Sequence, residues 1–347
     1  MSESTLSQIT TVIPTYRRPR LLRRAIVSAL QQEPVSVRVR VCDNASGDDT
    51  GKIVAALTQL HPQIEYHCHS QNIGSGANFE FGVRNIETPF FSLLSDDDYL
   101  LPGFYQRALT ALNAHPQAMF WVGITLNVDP EGVIWDARVE RWLRDGVFFP
   151  PEGALAMTAG LAPAWTGIVF RREVLEQVGF LDPEALSPGD LDYTLRLAAR
   201  YSYVVEKYPS AVFTLNTQSA SATQPLSSFW PGWQKMFRNI EALDMLSVSD
   251  RDRLLAALHA DARRMLFRRG GNALASGRYE FARDAALALD RDYSKTSRAN
   301  VLRALAVVCE RVPVAQRVLT LIYRAIERRM VRSRQGLRAR YGHLLQP

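Results

Sequence analysis

The chain has 347 residues, enough for one large or two medium domains, and at 47% hydrophobic and 22% charged it can bury a sizeable core, which excludes wholesale disorder. No apolar run reaches the roughly 18 residues of a membrane-spanning helix, and polar Met1 to Gln8 predict no signal peptide. The net charge of +6 conceals an asymmetry: residues 231–347 carry 23 Lys+Arg against 11 Asp+Glu, or +12, while residues 1–230 carry 18 against 24, or −6. Opposite signs predict two modules with different partners.

Ile9 to Ile13 is a β-branched apolar run stopped by Pro14, which predicts a buried strand. After Pro19, Leu21, Leu22, Ala25, Ile26, Ala29 and Leu30 recur at helical spacing. Residues 35–41 alternate with period two and run into Cys42, Asp43 and Asn44. A helix over 50–60, a strand over 64–68, a Gly-containing loop over 72–76 and a helix around 78–85 follow. The apolar strand 90–94 then ends in Ser95, Asp96, Asp97 and Asp98. Such strand–helix alternation predicts a parallel sheet with helices on both faces. Ligands of these sheets sit beyond the carboxyl ends of the strands, where Thr15, Asp43 and the three consecutive aspartates fall. From Phe229 the pattern becomes helical and Arg-rich, with a boundary expected near Ser219–Gly232, hence domains over 1–225 and 226–347.

Three adjacent carboxylates repel unless something positive sits among them, and a hard divalent cation sharing phosphate oxygens meets that need. An acidic solvated turn is the plainer alternative. The ordered set Thr11 to Arg17, Val41 to Ser46, Asn72 to Gly74, Ser95 to Asp98 and Gly189 to Tyr193 resembles the family-2 nucleotide-sugar glycosyltransferases, and the resemblance covers roughly residues 9–205. It implies an α/β GT-A (Rossmann-like) fold with a mixed, mostly parallel sheet and flanking helices, followed here by an all-helical C-terminal module. It implies that Thr15 and Tyr16 line a nucleotide pocket and that Asp43, beside Asn44, meets the base. Asp96 and Asp97 would face the nucleotide, and Asp97 and Asp98 a Mg2+ or Mn2+ ion, with the division of roles among the three open. Asp190 would be the general base that takes the acceptor proton, with helix capping as its alternative. Asp192 competes with it, and Trp165 could present its indole to an acceptor sugar or be core. The chain departs from the family pattern at Ser95 and Gly189, where acids are usual, and no His lies between His115 and His259.

The implied reaction is metal-dependent, inverting transfer from a nucleotide-diphosphate sugar to a saccharide or lipid-linked saccharide hydroxyl during surface polysaccharide assembly. Rival readings are a sugar nucleotidyltransferase, which Arg17, Arg18 and Arg20 would serve, and a non-catalytic protein binding nucleic acid or membrane; no nucleic-acid partner is expected. Cys42, Cys68 and Cys309 lie far apart without metal-ligand spacing, and His67 and His69 lack further ligands nearby, so a cytoplasmic protein is expected. From Arg324 to Arg340 seven arginines face one acid, Glu327. On a helix from Val314, residues Ala315, Val318, Leu319, Ile322 and Ile326 form one stripe and Arg317, Arg324 and Arg328 the opposite one. Either the arginine face is solvated, or Arg324, Arg328, Arg329 and Arg332 dock the protein peripherally on the inner, anionic membrane face.

Overall fold

The structure, a computed structural model, describes residues 8–185, 187–215, 224–294 and 297–345. The expected leader-free start at Met1 to Ser7 and residues 219–223 of the expected boundary lie outside the described residues.

Strands β1 (Ile9–Thr15), β2 (Val37–Asp43), β3 (Ile64–Cys68) and β4 (Phe90–Leu93) are mutually parallel, in the spatial order β3-β2-β1-β4. The sheet continues through β9 (Ile168–Arg171), β6 (Ala118–Val128), β10 (Ser202–Thr214) and the short β5 (Tyr99–Leu100). β9 is antiparallel to both its neighbours, and β7 (Ile134–Asp136) and β8 (Gly146–Phe148) add antiparallel edges to β6 and β10. The sheet is therefore mixed and mostly parallel in its first half.

Pro14 does not stop β1, which runs on to Thr15. Val12 O accepts from Leu94 N on the β4 side, while Thr15 O accepts from Asn44 N on the β2 side. The missing Pro14 N–H thus faces the β4 side beyond the last β1–β4 pair, Val12 with Leu93, where no ladder partner remains to be lost. The same departure of the chain after Leu93 opens the gap that the three aspartates fill.

Helices α1 (Pro19–Leu30), α2 (Thr50–Leu60) and α4 (Phe104–Ala114) share one apolar cluster with one face of the sheet. α3 (Ser75–Val83), which begins three residues earlier than its apolar spacing suggested, packs on the other face. Two short helices, α5 (Glu152–Ala156) and α6 (Glu173–Gln177), precede α7 (Gly189–Ala198). The C-terminal region is helical as expected: α8 (Leu226–Glu241), α9 (Val248–Ala275), α10 (Tyr279–Tyr293), α11 (Ser297–Arg311), α12 (Pro313–Ser333) and α13 (Gln335–Tyr341). Across the start of α8 the core is continuous, joining Tyr193 and Ala198 to Met236, Ile240 and Leu258.

Phe229 to Trp233 packs within this junction. Phe229 stacks on Phe281, and Trp230 donates its indole N–H to Asp292 at 2.7 Å. Gly232 lets the loop before α7 come close, since a Cβ there would lie 2.0 Å from the Ala185 carbonyl oxygen. That loop leads directly into the first turn of α7, which carries Asp190.

Candidate active site

Thr15, at the carboxyl end of β1, donates its hydroxyl to Asp96 Oδ2 at 2.7 Å, and Tyr16 N reaches the same oxygen at 3.3 Å. The Tyr16 ring is exposed, with the Arg17 guanidinium 5.0 Å from its centroid. Arg18 Nη1 lies 3.1 Å from Asp96 Oδ1 and 2.7 Å from Asp97 Oδ2, so both carboxylates converge on one positive charge. The sequence had marked Arg18 only as a triphosphate-gripping candidate. Arg17 is likewise engaged, with its N–H and Nε both bonded to Ser46. These bonds argue against an arginine cluster poised for a triphosphate.

Asp43 accepts from Ser46 N at 2.9 Å and from the Tyr66 hydroxyl at 2.7 Å, and burial with the Asp43 charge drives the Tyr66 pKa up. Asn44 is bonded at both ends, to Asn72 Oδ1 and to Ile73 N. Asp43 and Asn44 therefore tie the loops after β1, β2 and β3 into one rim. His67 and His69 pack on Phe81, and His69 Nε2 bonds Asn78 Oδ1, which is aromatic and polar packing.

Asp98, expected beside Asp97 as a metal-facing carboxylate, lies deeper than its neighbours. It is fully buried, and its two oxygens accept from Thr166 Oγ1 at 2.6 Å and from Thr214 N at 2.8 Å. Burial, and after it the Asp97 charge, pushes its pKa up to about 8. Its place is to anchor the acidic loop to β10 and the segment before β9. Arg24 holds the loop from the other side through Asp97 O and Thr214 Oγ1. Burial, opposed mainly by the Thr15 bond and the Arg18 charge, raises the Asp96 pKa.

Among the described residues, no three His, Cys, Asp or Glu side chains converge as a self-sufficient metal site. Asp96 and Asp97 do fit a divalent cation that takes its remaining ligands from phosphate and water, because their oxygens already meet around a single cationic group.

The late acidic pair divides cleanly. Asp192, considered for an acceptor role, is buried, 2.8 Å from Arg196 Nε and 2.9 Å from Asn239 Nδ2 of α8. Asp190 lines a cavity of about 250 Å3, together with Ser95, Trp165, Thr166 and Phe79. Water reaches its carboxylate through the open mouth, yet the protein crowded around it desolvates the charge and raises its pKa; the Leu191 N–H and the Arg138 charge oppose that rise. Because the group is open to solvent, the rise concerns its chemistry more than fold stability. Trp165 walls the cavity and donates its indole N–H to Asp190 O at 3.1 Å and Thr194 Oγ1 at 3.0 Å. Thr166 and Thr214, which hold Asp98, carried no signal in the sequence, since their partner lies 68 and 116 residues away.

Residues 10–179 match the model of glycosyl transferase family 2. An uncharacterized glycosyltransferase of Rickettsia bellii is 31% identical over 105 residues, 30% of this chain and 15% of that protein. The GalNAc(5)-diNAcBac-PP-undecaprenol beta-1,3-glucosyltransferase of Campylobacter jejuni is 32% identical over 110 residues, 31% of this chain and 35% of that protein. The chain thus spans well under half the length of these curated relatives. Staphylococcus aureus TarS 1–349 in complex with UDP-GlcNAc superposes with a TM-score of 0.62 at 16% identity, covering 92% of each chain. The mannosyltransferase PcManGT of Pyrobaculum calidifontis in complex with GDP-Man and Mn2+ gives 0.50 at 16% identity, over 94% of this chain and 86% of that one. At such identities the likeness is one of fold.

Proposed function

The chain belongs to glycosyl transferase family 2, and we propose that it moves a sugar from a nucleoside-diphosphate donor to the hydroxyl of a saccharide acceptor, with inversion at the anomeric carbon. The observation that carries this is the shared cavity: Asp190 opens into the same space as Ser95 at the head of the acidic loop, although the two are far apart in sequence. A base and a leaving-group site must flank the reacting carbon, and this arrangement supplies both.

In this reading Thr15 and Tyr16 line the nucleotide, and the rim built by Asp43 and Asn44 receives the base. Asp96 and Asp97 hold Mg2+ or Mn2+, and Asp98 fixes their loop. A divalent ion there supplies electrostatic stabilisation of the departing diphosphate. The acceptor O–H loses its proton to Asp190 as its oxygen bonds the anomeric carbon, and the C–O pair leaves with the diphosphate. With one base and no covalent enzyme intermediate, the configuration inverts. Trp165 offers an apolar wall to the acceptor ring.

The UDP-GlcNAc bound to TarS and the GDP-Man and Mn2+ bound to the Pyrobaculum mannosyltransferase support the donor and metal elements. The undecaprenol-linked substrate named for the Campylobacter relative supports a lipid-linked acceptor in surface polysaccharide assembly, met at an anionic membrane face by Arg324, Arg328, Arg329 and Arg332.

The test is a thermal-unfolding screen of nucleoside diphosphates with and without Mn2+, since a ligand of the folded state alone raises the midpoint by mass action. One nucleotide with Mn2+ should raise it, and Asp190→Asn should keep that rise and lose transfer. No rise with any nucleotide sinks the donor reading. Near wild-type transfer by Asp190→Asn sinks the base.

A further inference from the structure

α12 has no buried residue along its 21 positions. It meets the body through Thr320 Oγ1, which donates to Ala275 O at 2.8 Å, and through Tyr323, whose hydroxyl sits where a Cβ on Gly271 would be. The side turned away from the Thr320 and Tyr323 contacts carries Val314, Val318 and Leu321, with Ile322 at its edge; these are 63%, 49%, 63% and 49% exposed. Of the stripe read from the sequence, Val318, Ile322 and Ile326 are thus turned to solvent. Beside it lie the exposed Val301 and Val308 of α11, seven residues apart on one face, and Val312 between the helices. Among the described residues 19 large apolar side chains are exposed, and ten of them fall between Val301 and Met330. Concentration of this kind marks a surface that meets something apolar.

Its charge says what that is. Along α12 the same outward face changes from Val314, Val318 and Leu321 to Arg328 and Arg332, because 18 residues make five turns and bring Arg332 onto the meridian of Val314. Arg317, Arg324 and Arg329 flank it, all exposed, and Glu327 is the helix's only acid. A second copy would bring another +12 module against this face, which disfavours self-association, whereas an anionic lipid surface complements it.

We propose that the α11–α12 face lies in the plane of an anionic bilayer, with Val314, Val318, Leu321 and Ile322 entering the acyl boundary and Arg317, Arg324, Arg328, Arg329 and Arg332 among the headgroups. The inference deepens the membrane element of the function proposed above and rests on it for its purpose: it would bring the cavity to a lipid-linked acceptor.

Co-sedimentation of the full chain with phosphatidylcholine vesicles, with or without phosphatidylglycerol, tests it. The wild type should bind only the anionic vesicles, less so as salt rises. Leu321→Glu with Ile322→Glu should weaken binding at least tenfold. Arg328→Glu with Arg332→Glu should do so as well, since each basic residue contributes roughly fivefold to the partition. Both variants should keep the nucleotide-dependent rise in midpoint. Absence of wild-type binding, unchanged binding of both variants, or a dimer abolished by Leu321→Glu would overturn the inference. Vesicle binding as stated without any nucleotide effect would fault the catalytic reading and leave this one standing.

Discussion

Arg18 stands between the two carboxylates assigned to the metal, and replacing it should improve metal binding. A divalent ion entering between Asp96 and Asp97 must displace the guanidinium from contacts of 3.1 and 2.7 Å. Hydrogen bonds to charged groups contribute about 1.5–3 kcal/mol when sheltered. The Arg18 side chain is 32% exposed, so solvent screening brings the cost of displacement to about 1–2 kcal/mol. Arg18→Ala should therefore bind Mn2+ alone about 5- to 30-fold more tightly than wild type. The fold should tolerate the change, because Asp96 keeps its bonds to Thr15 Oγ1 and Tyr16 N. Free Mn2+ can be followed by its electron paramagnetic resonance signal during titration of the nucleotide-free protein. Arg18→Lys keeps a cation near the carboxylates and should stay close to wild type. Equal or weaker Mn2+ affinity in Arg18→Ala would show that the ion does not enter between Asp96 and Asp97, and the site would have to be redrawn.

The base should report itself in the pH–rate profile. Asp190 works only when ionised, and desolvation raises its pKa, so the acid limb of kcat should fall above the roughly pH 4 typical of aspartate. The Arg138 charge opposes that rise, so Arg138→Ala should move the limb higher still; a limb that stays or moves down contradicts the assignment. Denaturant unfolding should separate the anchoring acid from its neighbour. Asp98→Ala strands the Thr166 hydroxyl and the Thr214 N–H in the interior and should cost about 2–4 kcal/mol, whereas Asp97→Ala should cost within about 1 kcal/mol and abolish Mn2+ binding. Equal destabilisation by the two would refute the division of roles.

The first half of the sheet was legible because its strands announce themselves locally. β1 is a buried β-branched run, and β2 alternates buried Val37, Val39 and Val41 with the partly exposed Arg38 and Arg40. β6 gave no such signal: ten of its eleven residues are buried, so it has no solvent face to impose a period of two. What the stripe of α12 faces was left open by the sequence for a related reason. Apolar periodicity gives a helix a stripe but does not say that the stripe faces the protein, and the deciding contacts are Thr320 with Ala275 O and Tyr323 over Gly271, which lie on α9. The same limit governed the acids. Each aspartate at a strand or helix end could be placed at the binding edge from sequence alone, but not given a task, because the task depends on which donors reach it. Asp98 has both oxygens bonded by Thr166 and Thr214, and Asp192 is tied to Asn239, a residue of the C-terminal helices 47 positions on. Asp190 is left free in the cavity by the same bracing. α8, joined to the α7 region through Asn239, Lys235 and the close pass of Gly232, braces the helix whose first turn carries Asp190. The helical region outside the family match is thus part of what positions Asp190.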